Sequence, residues 1–226
     1  MPPATRIHFE RSSRLPSPWV LSRQTGCSSQ RIHASFTLLR IGCAAGMRFK
    51  RASARAALDA ELQMAAGRPV RWRESPKGPE VLESVGNGRV GVSLSYAQSE
   101  AWLALGWDGP IGLDAVAIEP VLEWEEVALV YLEPMAQERL RLSRRADLDF
   151  AREWAGYEAR LKLGGLALGE GVTPPPALVV EATIDKVAVA VALPLEATFG
   201  MLGDEPDGWA QGSQSVSRLD GYSEGA

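Results

Sequence analysis

Beyond Cys43 this chain has neither histidine nor cysteine; His8, His33, Cys27 and Cys43 are the full complement. For the body of the sequence that removes the usual zinc ligand sets, thiol nucleophiles, disulfides and Ser-His-Asp catalysis together. Chemistry there must run on carboxylates, lysine, arginine, tyrosine and hydroxyls, with a hard cation such as Mg²⁺ as the natural helper. Long apolar runs are also missing. Nothing approaches the ~18 uninterrupted residues of a membrane span, and the most apolar stretches, 87–118 and 177–195, are broken by Asp, Glu, Ser and Lys. The expectation is a soluble, cytoplasmic, globular protein with no membrane partner. Its 226 residues, 46% hydrophobic, suffice for one large domain or two small ones.

Acidic residues are scarce at one end. Met1 to Leu58 holds ten Lys or Arg against a single acid, Glu10, whereas the remainder holds 14 basic and 27 acidic residues. Three readings compete for residues 1–46: an Arg- and Ser-rich transit peptide, a basic arm for nucleic acid, or a start codon placed upstream of a true start at Met47. "SFTLLRIGCAAG" hints at a secretory apolar region, but Arg40 interrupts it. The misplaced start is favoured, so residues 1–46 are expected to be an extension outside the fold.

The body punctuates clearly. Residues 49–65 read as an Ala- and Leu-rich helix with Arg51 and Arg55 four apart. "GRP" and "SPKGPEV" mark loops. Residues 88–97 alternate, with Val90, Val92, Leu94 and Tyr96 on one face and small residues on the other, as in a strand. "AWLALGW" gives a second strand, Asp108-Gly109-Pro110 a turn, and 111–118 a third strand. On that third strand Asp114 shares a face with Gly112 and Val116, opposite Ile111, Leu113 and Ala115. "EWEEVALVYLEP" and "MAQERLRLSRR" are helix-like, and a long helix runs from about Asp147 to Leu163. A loop at "GVTPPPAL" leads to paired strands in "LVVEATI" and "KVAVAVALPL". From Gly203 the chain is polar and aperiodic, which predicts a disordered tail. The fold class is α+β: an N-terminal half, 47–120, and a C-terminal half, 121–202, each a helix with a small sheet.

The stretch "WAGYEARLKLGG" sets Trp154, Glu158 and Lys162 at four-residue steps and then stops on two glycines. Such steps stack side chains one turn apart. A surface Glu-to-Lys pair would stabilise the helix by about 0.2–0.5 kcal/mol. The alternative is an active-site face that places a base or metal ligand beside a phosphate-binding cation.

The order "VSLSYAQSEAWLAL", "GPIGLDAV" and "FAREWAGYEARLKLGGLAL" resembles the 4′-phosphopantetheinyl transferase superfamily in its Sfp-like, two-subdomain form, over roughly residues 48–200. That family carries a Leu-Ser-His-Ser strand, a Gly-hydrophobic-Asp-hydrophobic-Glu strand and a Trp-x-x-Lys-Glu-Ala-x-x-Lys helix. The resemblance implies two similar α+β halves related by a pseudo-twofold axis, with the site in the cleft between them. It implies transfer of the phosphopantetheine arm of coenzyme A to a serine of an apo acyl or peptidyl carrier protein, with Mg²⁺, releasing 3′,5′-ADP. On the same ground Asp114 would bind the metal. Glu158 would bind it too and act as base, and Lys162 would neutralise charge on the phosphate. Arg51, Arg55, Lys77 and Tyr96 would contact coenzyme A. A monomer would suffice, because the cleft is then internal.

Four positions depart from the family pattern: Tyr96 replaces the strand histidine, Ala97 the serine after it, Val116 the second strand acid, and Tyr157 the helix lysine before the glutamate. A tyrosine hydroxyl donates to phosphate but carries no charge, and Mg²⁺ tolerates fewer protein ligands and more water. Two alternatives stay open. One is a catalytically silent relative that binds coenzyme A or a carrier. The other is an unrelated α+β protein using its basic arm on nucleic acid, against which the acidic body argues. The run 139–145, "RLRLSRR", suits an acidic carrier or a solvated face equally.

Overall fold

The computed structural model describes residues 5–10, 20–21, 36–42, 47–86 and 88–195. In chain order these form β1 (Thr5–Glu10), β2 (Val20–Leu21), β3 (Phe36–Gly42), α1 (Met47–Ala66), β4 (Trp72–Ser75), β5 (Gly78–Val81), β6 (Gly91–Ala97), β7 (Glu100–Gly106), β8 (Gly112–Ala117), α2 (Trp124–Tyr131), α3 (Pro134–Arg141), α4 (Ala146–Leu163), β9 (Ala177–Ile184) and β10 (Val187–Pro194). The α+β class holds. The tail expected from Gly203 lies outside the described residues. No helix among the described residues is long and apolar enough to cross a membrane.

Period-two alternation builds the core. In β10 the sequence VAVAVAL turns Val187, Val189, Val191 and Leu193 to one side and Ala190 and Ala192 to the other. In β7 Trp102 and Ala104 face one way, while Ala101, Leu103 and Leu105 face the other. The larger set from β10 meets Trp102, Phe36, Leu38, Leu113 and Ala115 in a core between two sheets. Outside that core, α1 covers the far face of one sheet through Ala54, Leu58 and Leu62. On the other sheet α4 lies on β8 and β10 through Ala155 and Ala159. The result is four layers, helix–sheet–sheet–helix, with α2 and α3 packed on the outer side of α4 through Leu140, Phe150, Tyr157 and Leu161.

The sheets repeat one topology. The five-stranded sheet runs β2-β1-β3-β7-β6, and the three-stranded sheet runs β8-β10-β9, with every neighbour antiparallel. In each, a strand (β3 or β8) leads to a packed helix (α1 or α4) and then a hairpin whose last strand inserts beside the first. By sheet membership β8 therefore goes with the C-terminal elements. The boundary between repeats falls at the Asp108–Pro110 turn, earlier than the division at residue 120 expected from the sequence.

The expectation that residues 1–46 stand outside the fold fails for Phe36–Gly42. This segment is β3, central in the five-stranded sheet between β1 and β7, with Leu38 and Leu39 each 1% exposed on opposite faces. Arg40, which argued against an apolar segment, pairs with Glu100 and Asp185 and lies 5.8 Å over the Trp102 ring. An arginine on a strand with local partners is compatible with a core element. The loop expected at "SPKGPEV" is corrected as well: Ser75 to Gly78 is the tight turn of the β4–β5 hairpin, and Gly78–Val81 is strand β5.

Candidate active site

Small residues let α4 approach its sheet closely. Ala155, Ala159, Ala190 and Ala192 form that contact. At Gly112 there is no room for a side chain: a Cβ would collide with the Ala159 carbonyl oxygen and come 2.7 Å from the Leu163 nitrogen. Two residues along β8, on the same face, sits Asp114. It is 5% exposed, one of four buried polar or charged residues among those described. The equivalent layer of the other repeat, α1 on its sheet, is closed by Leu39, Ile41, Leu58 and Leu62. A buried acid in one copy of a layer that is otherwise apolar is not required by the topology.

Asp114 is held from two directions. Lys162 Nζ, from the last turn of α4, lies 2.6 Å from Asp114 Oδ1. The Ser95 hydroxyl, on β6, donates to the same oxygen at 2.8 Å. Ser95 Oγ also accepts the Ala115 N–H at 3.1 Å, and Ser93 Oγ accepts the Leu113 N–H at 2.9 Å. Here β6 and β8 are terminal strands of different sheets, so serine hydroxyls serve backbone donors that no neighbouring strand pairs. In the sequence that face of β6 reads only as small residues. The usable signal was a serine at alternate positions opposite Val92, Leu94 and Tyr96.

Glu158 stands one turn before Lys162 and is half-buried. Burial, then the charge of Asp114, push its carboxyl above the ordinary carboxylate range, while Lys162 and a hydrogen bond from Trp154 pull it back. The Trp154 ring itself packs edge-on to Tyr131, with centroids 5.5 Å apart, and stacks on Phe150 at 6.0 Å. The helix then ends on Gly165, at φ 62°, with Gly165 N–H to Lys162 O and Leu166 N–H to Leu161 O. This paired bonding is how a glycine in the left-handed region stops a helix, and it fixes the backbone of the turn that carries Lys162.

Asp114, Glu158 and Lys162 are thus brought together by β8 and α4. Lys77 comes to the same end of α4: a Cβ on Gly165 would lie 3.2 Å from Lys77 Nζ. Tyr96 projects from the other face of β6 and packs with the α1 layer. Arg55 pairs with Glu74 at 2.8 Å on the surface, and Arg51 is exposed. Lys50 donates to the Gln98 carbonyl, which ties the start of α1 to the β6–β7 turn two residues past Tyr96. Tyr96 and the α1 residue Arg51 are thus on the α1 side of the first repeat.

The departures have structural consequences. Val116 packs against Ala155 and Ala159, so the second acid position of β8 is apolar. Tyr157 is buried, and its hydroxyl donates to the Val172 carbonyl at 2.9 Å. A separate groove of about 270 Å³ lies on α2 and α3, between Trp124, Leu129 and Arg141; neither Asp114, Glu158 nor Lys162 lines it. No protein-family model matches the chain, and no curated protein matches it.

Proposed function

We propose that this protein transfers the 4′-phosphopantetheine arm of coenzyme A to a serine of an apo acyl or peptidyl carrier protein. One observation carries the reading: Asp114 and the Glu158–Lys162 pair, drawn from separate motifs of the resemblance, converge where β8 passes beneath α4. The two topological repeats are read as halves related by a pseudo-twofold axis, with the site in a cleft at their seam.

The donor set suits Mg²⁺. Among the described residues no group of three or more His, Cys, Asp or Glu forms a metal cage. Two carboxylates with water completing the shell is the usual arrangement for this ion on a phosphate substrate. Asp114 and Glu158 would hold it, and when bound it would offset charge on the pyrophosphate oxygens. Glu158, one turn before Lys162 and within reach of the Asp114 charge, would take the proton of the carrier serine. The serine oxygen forms a bond to the phosphorus of the phosphopantetheine, and the bond from that phosphorus to the oxygen of 3′,5′-ADP breaks. Lys162 offsets the charge left on the departing phosphate. Lys77 adds a second cation at the same helix end. Arg51, Arg55 and Tyr96 remain the proposed contacts for the nucleotide, on the α1 side. A monomer is sufficient.

Binding tests this reading without a carrier. Coenzyme A titrated in a calorimeter with Mg²⁺ should bind, and Lys162→Met should weaken it by at least tenfold. Equal binding by both proteins counts against the reading. Binding that is retained while no carrier accepts the arm would instead favour the silent relative, which the satisfied Asp114 and the apolar Val116 position both support.

A further inference from the structure

We propose that Lys162 is the resident counter-ion of Asp114 and is displaced when a divalent cation arrives, so that loading the cation and freeing the Lys162 ammonium for phosphate are one event. This rests on the metal and phosphate roles given to the same residues above. Asp114 presents a side chain only 6% exposed, and a lone carboxylate at such a depth is strongly destabilising unless a cation faces it. Ser95 supplies a neutral donor only. Lys162 supplies the charge, with its Nζ 2.6 Å from the very oxygen that Ser95 also binds.

The same lysine is built to leave. Its side chain is 33% exposed, and its stem is long and flexible with a point charge at the tip. Its other contact, to the Leu94 carbonyl, is 3.4 Å, near the limit of a useful hydrogen bond. A divalent cation on Asp114 and an ammonium on the same oxygen repel each other, so one excludes the other. Before exchange the Lys162 ammonium is matched by Asp114 and is not free to meet a phosphate. After exchange the divalent cation faces Asp114, and the freed ammonium adds to the positive charge that a phosphate meets. Exchange therefore couples cation binding to phosphate binding through Lys162.

Two readouts that need no turnover test the exchange. In the first, Mn²⁺ alone is titrated into wild-type protein and into Lys162→Met, followed by electron paramagnetic resonance, with circular dichroism establishing that the variant is folded. Removing the competing ammonium should tighten Mn²⁺ at least tenfold. In the second, Lys162 of the wild-type protein is labelled with an amine-acylating reagent and quantified by peptide mass spectrometry. Saturating Mg²⁺ should raise its labelling several-fold, while exposed Lys186 serves as an internal standard. The second readout stands even where Lys162→Met does not fold. Equal Mn²⁺ affinity in wild type and folded variant, or Lys162 labelling unmoved at saturating Mg²⁺, overturns the exchange. Either result leaves the transferase reading standing. Absence of Mn²⁺ binding in both proteins overturns the exchange and the metal assignment together.

Discussion

Lys162 Nζ lies 2.6 Å from Asp114 Oδ1 across the helix–sheet interface of the second repeat, and Ser95 donates to that oxygen from the neighbouring sheet. Three elements distant in sequence thus meet on one carboxylate oxygen. Breaking a fully buried ion pair costs about 3–5 kcal/mol; with Lys162 one-third exposed, a smaller loss of about 1–3 kcal/mol is expected for either single substitution. Asp114→Asn combined with Lys162→Met should lose less than the sum of the singles, because neither leaves an uncompensated charge. Urea unfolding of the four proteins measures the coupling. Additive losses would show that the pair is not coupled in solution.

The closeness of α4 to β8 depends on Gly112. A methyl there would run into the α4 backbone at Ala159 and Leu163, and backbone cannot give way as a flexible side chain does. Gly112→Ala should destabilise the fold by at least about 2 kcal/mol, at the upper end of overpacking. Urea midpoints measure this. A near-neutral result would mean that α4 sits farther from the sheet than described.

Much of this architecture was legible in the sequence, and the misses have physical causes. The Val/Ala alternation of 187–193 and the glycine stop at 164–165 follow from local periodicity and backbone freedom, which a sequence displays directly. That β8 pairs with β10 rather than with β7 does not, since Asp114 faces Ala190 across 76 residues and no local pattern encodes that choice. Strand β3 was hidden by its setting, an acid-poor, Arg-rich segment whose overall composition outweighed seven residues of strand.

Leu38 and Leu39 test that correction. Each is buried against a different layer, so Leu38→Ala and Leu39→Ala should each cost about 2–5 kcal/mol. A chain begun at Met47 should lack a cooperative unfolding transition. A truncated chain that folds with unchanged stability would restore the view of residues 1–46 as an extension.

Glu158 gives the pH dependence. Its folded pKa is raised, by burial first and Asp114 second, above the ordinary value of 4.5. A raised carboxylate lowers stability where it must ionise, and that loss is recovered as pH falls through the folded pKa toward the unfolded one. Glu158→Gln should therefore be more stable than wild type at about pH 7.5, the difference disappearing below the ordinary carboxylate pKa. Thermal melts across pH read this. A variant less stable at neutral pH would assign Glu158 a favourable pairing that outweighs its burial.

The transfer reaction itself is the most direct test. An apo acyl carrier protein, incubated with this protein, coenzyme A and Mg²⁺, should gain one phosphopantetheine, about 340 Da by mass spectrometry. The gain should disappear with Asp114→Asn or Glu158→Gln and fall at least a hundredfold in rate with Lys162→Met. Arg55→Ala, whose partner is the surface Glu74, should retain transfer with a raised KM for coenzyme A. If no acyl or peptidyl carrier gains mass while the folded protein is present in excess, the transferase reading is contradicted.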